Sequence, residues 1–313
     1  MAKNTSKKTI EKPQLKIPDL DNGEKVKLSY SKLNIFQQCP KQYYYRYLRK
    51  DITEKPTVWP GNVTGRILHS AMENAINEKN KNVDDKIIIF NIKGKFQEMY
   101  EVEVKKCKKD YKTSKEIRSD KDKFFRNNDR LMTSLVKFIL SYFYNEDNIK
   151  VIPEEEYVVE WKWDPEIKLN GFLDVRLQSE EYTTQRIFDL KVTKESENFY
   201  FVDWDNMLQK LVYEYFIFMK YGVIPHSFTY LVLNREEKTL FFKEKFRTHD
   251  LFNIKEYFSK LHIRLQELKE YTLNPDITLV NPEEVACRWC IYSRYCEDKF
   301  QGKYIKLMKN KKR

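Results

Sequence analysis

The sequence predicts an α/β protein built on one mixed sheet, with a helical insertion ahead of that sheet. Three observations predict it. Apolar residues between Ser29 and about residue 146 recur at helical spacing. Near residue 155 the pattern changes, and Tyr157, Val159 and Trp161 alternate with period two, as strand residues do. Beyond them, strand-like runs at 169–177, 186–192, 226–233 and 239–246 are interleaved with helical runs at 203–221 and 251–271.

Each element follows from its residues. Residues 1–27 are Lys-rich and polar, carry Pro13 and Pro18, and read as a flexible arm. A helix begins at Ser29 or Ser31, with Leu33, Phe36, Tyr43, Tyr44 and Tyr47 on its apolar face. Pro40 interrupts it, because proline removes a donor and clashes with the preceding turn. After a linker with Pro56 and Pro60, residues 61–80 form a second helix that aligns Ile67, Leu68, Ala71, Met72, Ala75 and Ile76. The expected division is therefore an arm over 1–27, an N-terminal helical segment over 28–83 and a helical insertion over 84–150. A core over 151–275 and a cysteine-rich, basic end over 276–313 complete it. The insertion carries apolar positions such as Phe90, Phe96, Leu131, Leu135, Phe138 and Ile139.

Composition narrows the function. The chain has 313 residues, with 58 Lys and Arg against 47 Asp and Glu, a net charge of +11. That balance favours a polyanionic partner, either nucleic acid or an anionic membrane surface. Aromatic residues make up 15%, and exposed ones among them can stack on bases. No apolar run approaches the roughly 18 residues of a membrane span, and the N-terminus lacks the apolar stretch of a secretory signal. A cytoplasmic location is expected. Five cysteines in such a chain point to metal or to buried thiols rather than to disulfides.

The most informative segment holds Gly171-Phe-Leu-Asp174 on one strand and Phe188-Asp189-Leu-Lys191 on the next. Asp189 and Lys191 are two apart, so both leave the same face of a strand, and Asp174 on the neighbouring strand can reach the same point. Two carboxylates suit Mg²⁺ or Mn²⁺. Such an ion polarises a phosphodiester and acidifies a bound water, and a lysine beside it orients that water and stabilises charge developing on phosphate. A lone Asp-x-Lys can equally be a surface cross-strand pair. Here Ile187, Phe188, Leu190 and Val192 flank the charges, and ionised groups in so apolar a strand are costly unless they are used.

Gly-x-x-Asp followed by Asp-x-Lys resembles the core of the PD-(D/E)XK nuclease superfamily. More narrowly it resembles the RecB-like, AddB-type iron–sulfur exonuclease branch, to which the CRISPR-associated iron–sulfur exonucleases are similar. Gly65-Arg-Ile-Leu-His69 resembles that branch's Gly-x-x-x-His motif, and Gln209-x-x-x-Tyr213 its Gln-x-x-x-Tyr motif. Ser29-x-Ser31 with Phe36 and Cys39-Pro40 resembles its opening segment. The resemblance implies a restriction-endonuclease-like core in which His69, Asp174 and Asp189 hold Mg²⁺ or Mn²⁺ and Lys191 completes the catalytic set. It also implies that Gln209 and Tyr213, which share a helix face, touch DNA. Glu160, on the preceding strand, is a further acidic residue that can point inward.

Cys287, Cys290 and Cys296 form a compact set whose thiolates suit a soft or borderline metal. A fourth ligand has to be Cys39 or Cys107. The resemblance assigns Cys39 and so implies a [4Fe–4S] cluster on Cys39, Cys287, Cys290 and Cys296, with Cys107 a free thiol. Zinc on four cysteines fits the same residues. Either metal would clasp the two ends of the chain around the core.

The expectation is a metal-dependent DNA exonuclease acting on single strands or ends, in recombination, repair or CRISPR adaptation. No Gly-x-x-x-x-Gly-Lys loop is present, so unwinding falls to a helicase partner. The alternatives are a catalytically inactive DNA-end-binding scaffold or inhibitor, and a zinc protein with no nuclease site.

Overall fold

The computed structural model describes residues 25–49, 60–106, 121–146, 148–179, 184–193, 207–237, 239–246 and 253–276, together with Cys290, Tyr292 and Cys296. The described residues begin with strand β1 (Val26–Leu28), helix α1 (Tyr30–Gln38) and a short helix α2 (Pro40–Tyr43) that runs into a π-helical turn over Tyr44–Leu48. Ser29 caps α1, its hydroxyl accepting from the N–H of Lys32 at 3.3 Å. Cys39 separates α1 from α2, and Pro40 takes the first position of α2, where a missing N–H costs nothing.

Three longer helices follow: α3 (Pro60–Lys79), α4 (Asp85–Lys106) and α5 (Lys121–Phe138), the last continuing as a π-helical turn over Ile139–Phe143. Then come strands β2 (Ile149–Trp161), β3 (Asp164–Ser179) and β4 (Gln185–Thr193), helix α6 (Leu208–Tyr221), and strands β5 (Ser227–Asn234) and β6 (Thr239–Phe246). Helices α7 (Ile254–Tyr257) and α8 (Ser259–Leu273) end the described run. Gly222 stops α6 in the left-handed region at φ 73°, a conformation that favours glycine.

The six strands form one mixed sheet in the order β1-β3-β4-β5-β6, with β2 also paired to β3. The β2–β3, β3–β4 and β5–β6 pairs are antiparallel, whereas β1–β3 and β4–β5 are parallel. Two apolar clusters cover the sheet. One joins α1, α2, α6 and α8 to Ile187, Phe228, Tyr230 and Val232. The other joins α3, α4 and α5 to Val175, Phe188, Leu190, Leu231 and Leu233. Helix α6 packs tightly over Gly171, where a Cβ would lie 2.9 Å from the Phe216 ring.

Two boundaries differ from the sequence reading. Val26 and Lys27, placed in the arm, pair with Ile167 and Lys168 as part of β1. A strand of three residues is too short to show a period. In the segment 84–150, Ile88, Ile92, Phe96, Leu131 and Leu135 of α4 and α5 join α3 in one of the two apolar clusters, and β2 starts at Ile149. Phe90, grouped with the apolar positions, is 76% exposed.

Candidate active site

The site is built where the sheet divides. β2 occupies one edge of β3 along nearly its whole length. The other edge is shared: β1 pairs with Ile167–Leu169 and β4 with Val175–Gln178, so residues 170–174 lie between the two partners. The facing of β3 also inverts there. Ile167, Leu169 and Leu173 lie in the α6 cluster, while Val175 and Leu177 lie in the α3 cluster. The β2–β3 register skips from Pro153↔Val175 to Glu155↔Leu173, passing over Asp174.

Asp174 sits at this break. Continuing the Val175↔Phe188 pairing by one residue sets Asp174 opposite Asp189. Its Oδ2 accepts a 2.8 Å hydrogen bond from the N–H of Leu190, so a carboxylate replaces the next rung of the ladder. The Nδ1 of His69, from α3, lies 3.4 Å from the same oxygen. Burial works against the His69 cation, but Asp174, with Asp189 behind it, holds the His69 pKa above its ordinary value.

Asp189 is 2% exposed. The Gln209 amide donates to its Oδ1 at 2.7 Å, and the Lys191 ammonium lies 2.6 Å from its Oδ2. Burial pushes the Asp189 carboxyl up to about 6, with Lys191 opposing and Asp174 adding to the rise. For Lys191, burial disfavours the ammonium, and the Asp189 carboxylate outweighs it and keeps the pKa raised. The ammonium also stands 5.4 Å above the centre of the Tyr230 ring.

Gln209 is held on both sides. Tyr230 donates to its Oε1 at 3.1 Å, and its Nε2 reaches Tyr213 Oη at 3.0 Å. Gln209 and Tyr213 share a face of α6, as their spacing requires, but both are buried. Gln209 faces Asp189 rather than solvent, while Tyr213 lines a cleft. Glu160, read as able to point inward, is exposed at the far end of β2 and pairs with Lys25. In its place Glu154 lies beside Asp174. Burial raises its pKa, and the charges of Glu73 and Asp174 raise it further.

Two clefts meet at Asp174. The larger, about 710 Å³, runs along α3 and α4 past His69, Glu73 and Glu154, with Arg66 and Lys95 on its walls. The smaller, about 330 Å³, opens between the start of α1, β3 and α6.

A family model for the PD-(D/E)XK nuclease superfamily matches residues 27–297. The chain belongs to this superfamily. No curated protein matches it. Among solved structures, the crystal structure of SSO0001 is similar at 11% identity over 79% of this chain and 88% of that one, with a TM-score of 0.33, too low to add to the assignment.

Nucleases of this superfamily usually use Mg²⁺ or Mn²⁺. Among the described residues no three His, Cys, Asp or Glu side chains stand together as a metal-holding group. Mg²⁺ does not require three, since it keeps several waters and takes one or two carboxylates plus substrate phosphates. Asp174 and Asp189 are hard oxygen donors facing each other across the break. Asp189 Oδ2 is buried and has the Lys191 ammonium 2.6 Å away, so it already faces a cation. The donor set fits.

Cys39, Cys290 and Cys296 are each half-buried, while Cys107 and Cys287 lie outside the described residues. Tyr45, just past α2, meets Tyr292 with ring centres 5.9 Å apart. Among the described residues no helix is long and apolar enough to cross a membrane.

Proposed function

We propose that this nuclease is a Mg²⁺- or Mn²⁺-dependent deoxyribonuclease that cuts from strand ends. One observation carries the reading: Asp174, Asp189 and Lys191 converge at a break in the sheet, with His69 against Asp174. When bound, the divalent ion activates water and polarises the phosphodiester. Asp174 and Asp189 would hold it, and Gln209 would keep the Asp189 carboxylate aimed. The Lys191 ammonium would orient the attacking water and offset charge gathering on the phosphoryl oxygens. The net charge of +11 supports a nucleic-acid substrate.

The finer readings rest on the motifs. The order Gly65-x-x-x-His69, Gly171-x-x-Asp174, Asp189-x-Lys191 and Gln209-x-x-x-Tyr213 supports the RecB-like branch, and with it exonuclease action, a role in recombination or repair, and a helicase partner. An iron–sulfur cluster on Cys39, Cys287, Cys290 and Cys296 is favoured by the approach of Tyr45 to Tyr292. Iron and acid-labile sulfide in anaerobically purified protein support it, and stoichiometric zinc overturns it.

The deciding assay uses end-labelled linear DNA and closed circles with Mg²⁺ or Mn²⁺, comparing wild type with Lys191→Ala. Cutting of linear DNA alone, lost in the variant, is the expected result. Cutting of circles makes the enzyme an endonuclease. Full activity in Lys191→Ala overturns the site, and binding without cutting by wild type makes the protein an end-binding scaffold.

A further inference from the structure

The two clefts that meet at Asp174 differ in chemistry. The larger carries charge of both signs on its walls. The smaller holds the rings of Tyr30, Phe172 and Tyr213, the neutral polar groups of Ser31 and Asn170, and Asp174 as its one charged group. Among the described residues no Lys or Arg lines it. Its walls therefore offer a phosphate no cationic partner. The cleft suits a flat, neutral group that stacks and hydrogen-bonds.

Phe172 is the decisive residue. It lies two residues before Asp174 on the same strand and lines the same cleft. It is 47% exposed, although Asp174, two residues on, is held by the Leu190 N–H and His69. An exposed aromatic next to a cleft is the usual platform for an unpaired base. Tyr30, half-buried across the cleft, is near enough to the reactive groups for Lys191 and Asp189 to act on its phenol.

We propose that the smaller cleft is a nucleobase subsite, in which Phe172 stacks on the base next to the phosphate held at Asp174. The inference rests on the nuclease reading and adds a substrate class. A base inside a duplex has both faces covered by its neighbours and its edge paired, so the subsite accepts only unpaired or frayed nucleotides. Phe172 is then a determinant of single-strand preference, and the cleft reads no particular base, because every base has a π face.

The test crosses two deletions. Wild type, Phe172→Ala, Phe172→Leu and Phe172→Tyr are assayed on single-stranded DNA and on the same strand with abasic positions near its end. Loss of the ring is expected to raise KM about tenfold on normal DNA and hardly at all on abasic DNA, since the partner is already gone. Phe172→Tyr keeps wild-type KM, and Phe172→Leu, apolar without a π face, behaves like Phe172→Ala. Equal losses on both substrates, or no loss on either, overturn the subsite. Wild type that fails to cut either strand refutes the nuclease reading instead. In that case the same comparison is made by fluorescence anisotropy of the labelled strands, where equal affinities for normal and abasic DNA overturn the subsite.

Discussion

Replacing Gly171 by alanine should destabilise the protein by about 1–3 kcal/mol, the range for forcing a methyl group into a filled interior. The new Cβ would lie 2.9 Å from Phe216 Cε2 and 3.2 Å from its Cζ. Carbon atoms rest at about 3.5–4.0 Å, so the nearer contact overlaps by roughly half an ångström or more. The Phe216 ring cannot easily withdraw. It is fully buried and stacks on Tyr157 with ring centres 5.3 Å apart at 10°, and Tyr213 lies beyond it at 6.2 Å. Relief therefore comes from α6 lifting off β3, three residues from Asp174. At about 2–4 °C per kcal/mol for a chain of this class, the melting temperature falls by several degrees. The assay is thermal unfolding of Gly171→Ala in wild-type and Phe216→Leu backgrounds. If the ring is the obstacle, the smaller side chain makes room and the cost of the alanine shrinks by at least about 0.5 kcal/mol. An equal cost in both backgrounds, or no cost in either, refutes the reasoning.

Two further predictions concern charge. Tyr230→Phe removes the hydroxyl that orients Gln209 but keeps the ring under Lys191, so kcat drops about tenfold with KM little changed. Tyr230→Leu loses both and drops kcat further, and single-turnover cleavage kinetics read the difference. Glu155 is held below its ordinary pKa because Lys220, Tyr157 and Arg176 outweigh its burial. A depressed pKa contributes stability above the unfolded value of 4.5 that is lost as pH falls below it. Urea unfolding should therefore find Glu155→Gln less stable than wild type near neutral pH, with the gap closing as pH drops through 4.5. A gap independent of pH refutes this.

How much was legible in the sequence follows from what each signal encodes. A period-two run marked β2, strand-like apolar runs marked β3 to β6, and i, i+3, i+4 spacing marked the long helices, because burial selects those patterns. Asp189 and Lys191 were legible because charged residues stood out in an apolar strand. Tyr230 was not, since one tyrosine in the buried run Ser227–Asn234 reads as core. Its hydroxyl, which needs a partner when buried, was the available hint. Glu154 was hidden among Glu155 and Glu156, three like charges of which Glu154 lines the cleft at Asp174. Gln209 was found, but i, i+4 spacing states only that two side chains share a face. Whether that face meets DNA or Asp189 depends on how α6 packs, which no local pattern contains.

The position of the site at a sheet break has a physical cause. In an unbroken ladder, every N–H of β4 facing β3 would bond to a backbone carbonyl, and Asp174 would have no reason to turn inward. Because β1 and β4 share one edge of β3, the N–H of Leu190 finds its acceptor in the Asp174 carboxylate. That bond keeps one carboxylate oriented without metal. Asp189, more deeply buried, takes its donors from Gln209 on one side of the carboxylate and its counter-charge from Lys191 on the other. Burial still pushes it up to about 6, so ionising Asp189 where it stands carries a cost. The two apolar clusters make that cost tolerable. Phe188 and Leu190 anchor β4 to the α3 layer, while Ile187 anchors it to the α6 layer. The strand carrying Asp189 is thus pinned from both faces, and His69 and Gln209 arrive from opposite layers at fixed distances.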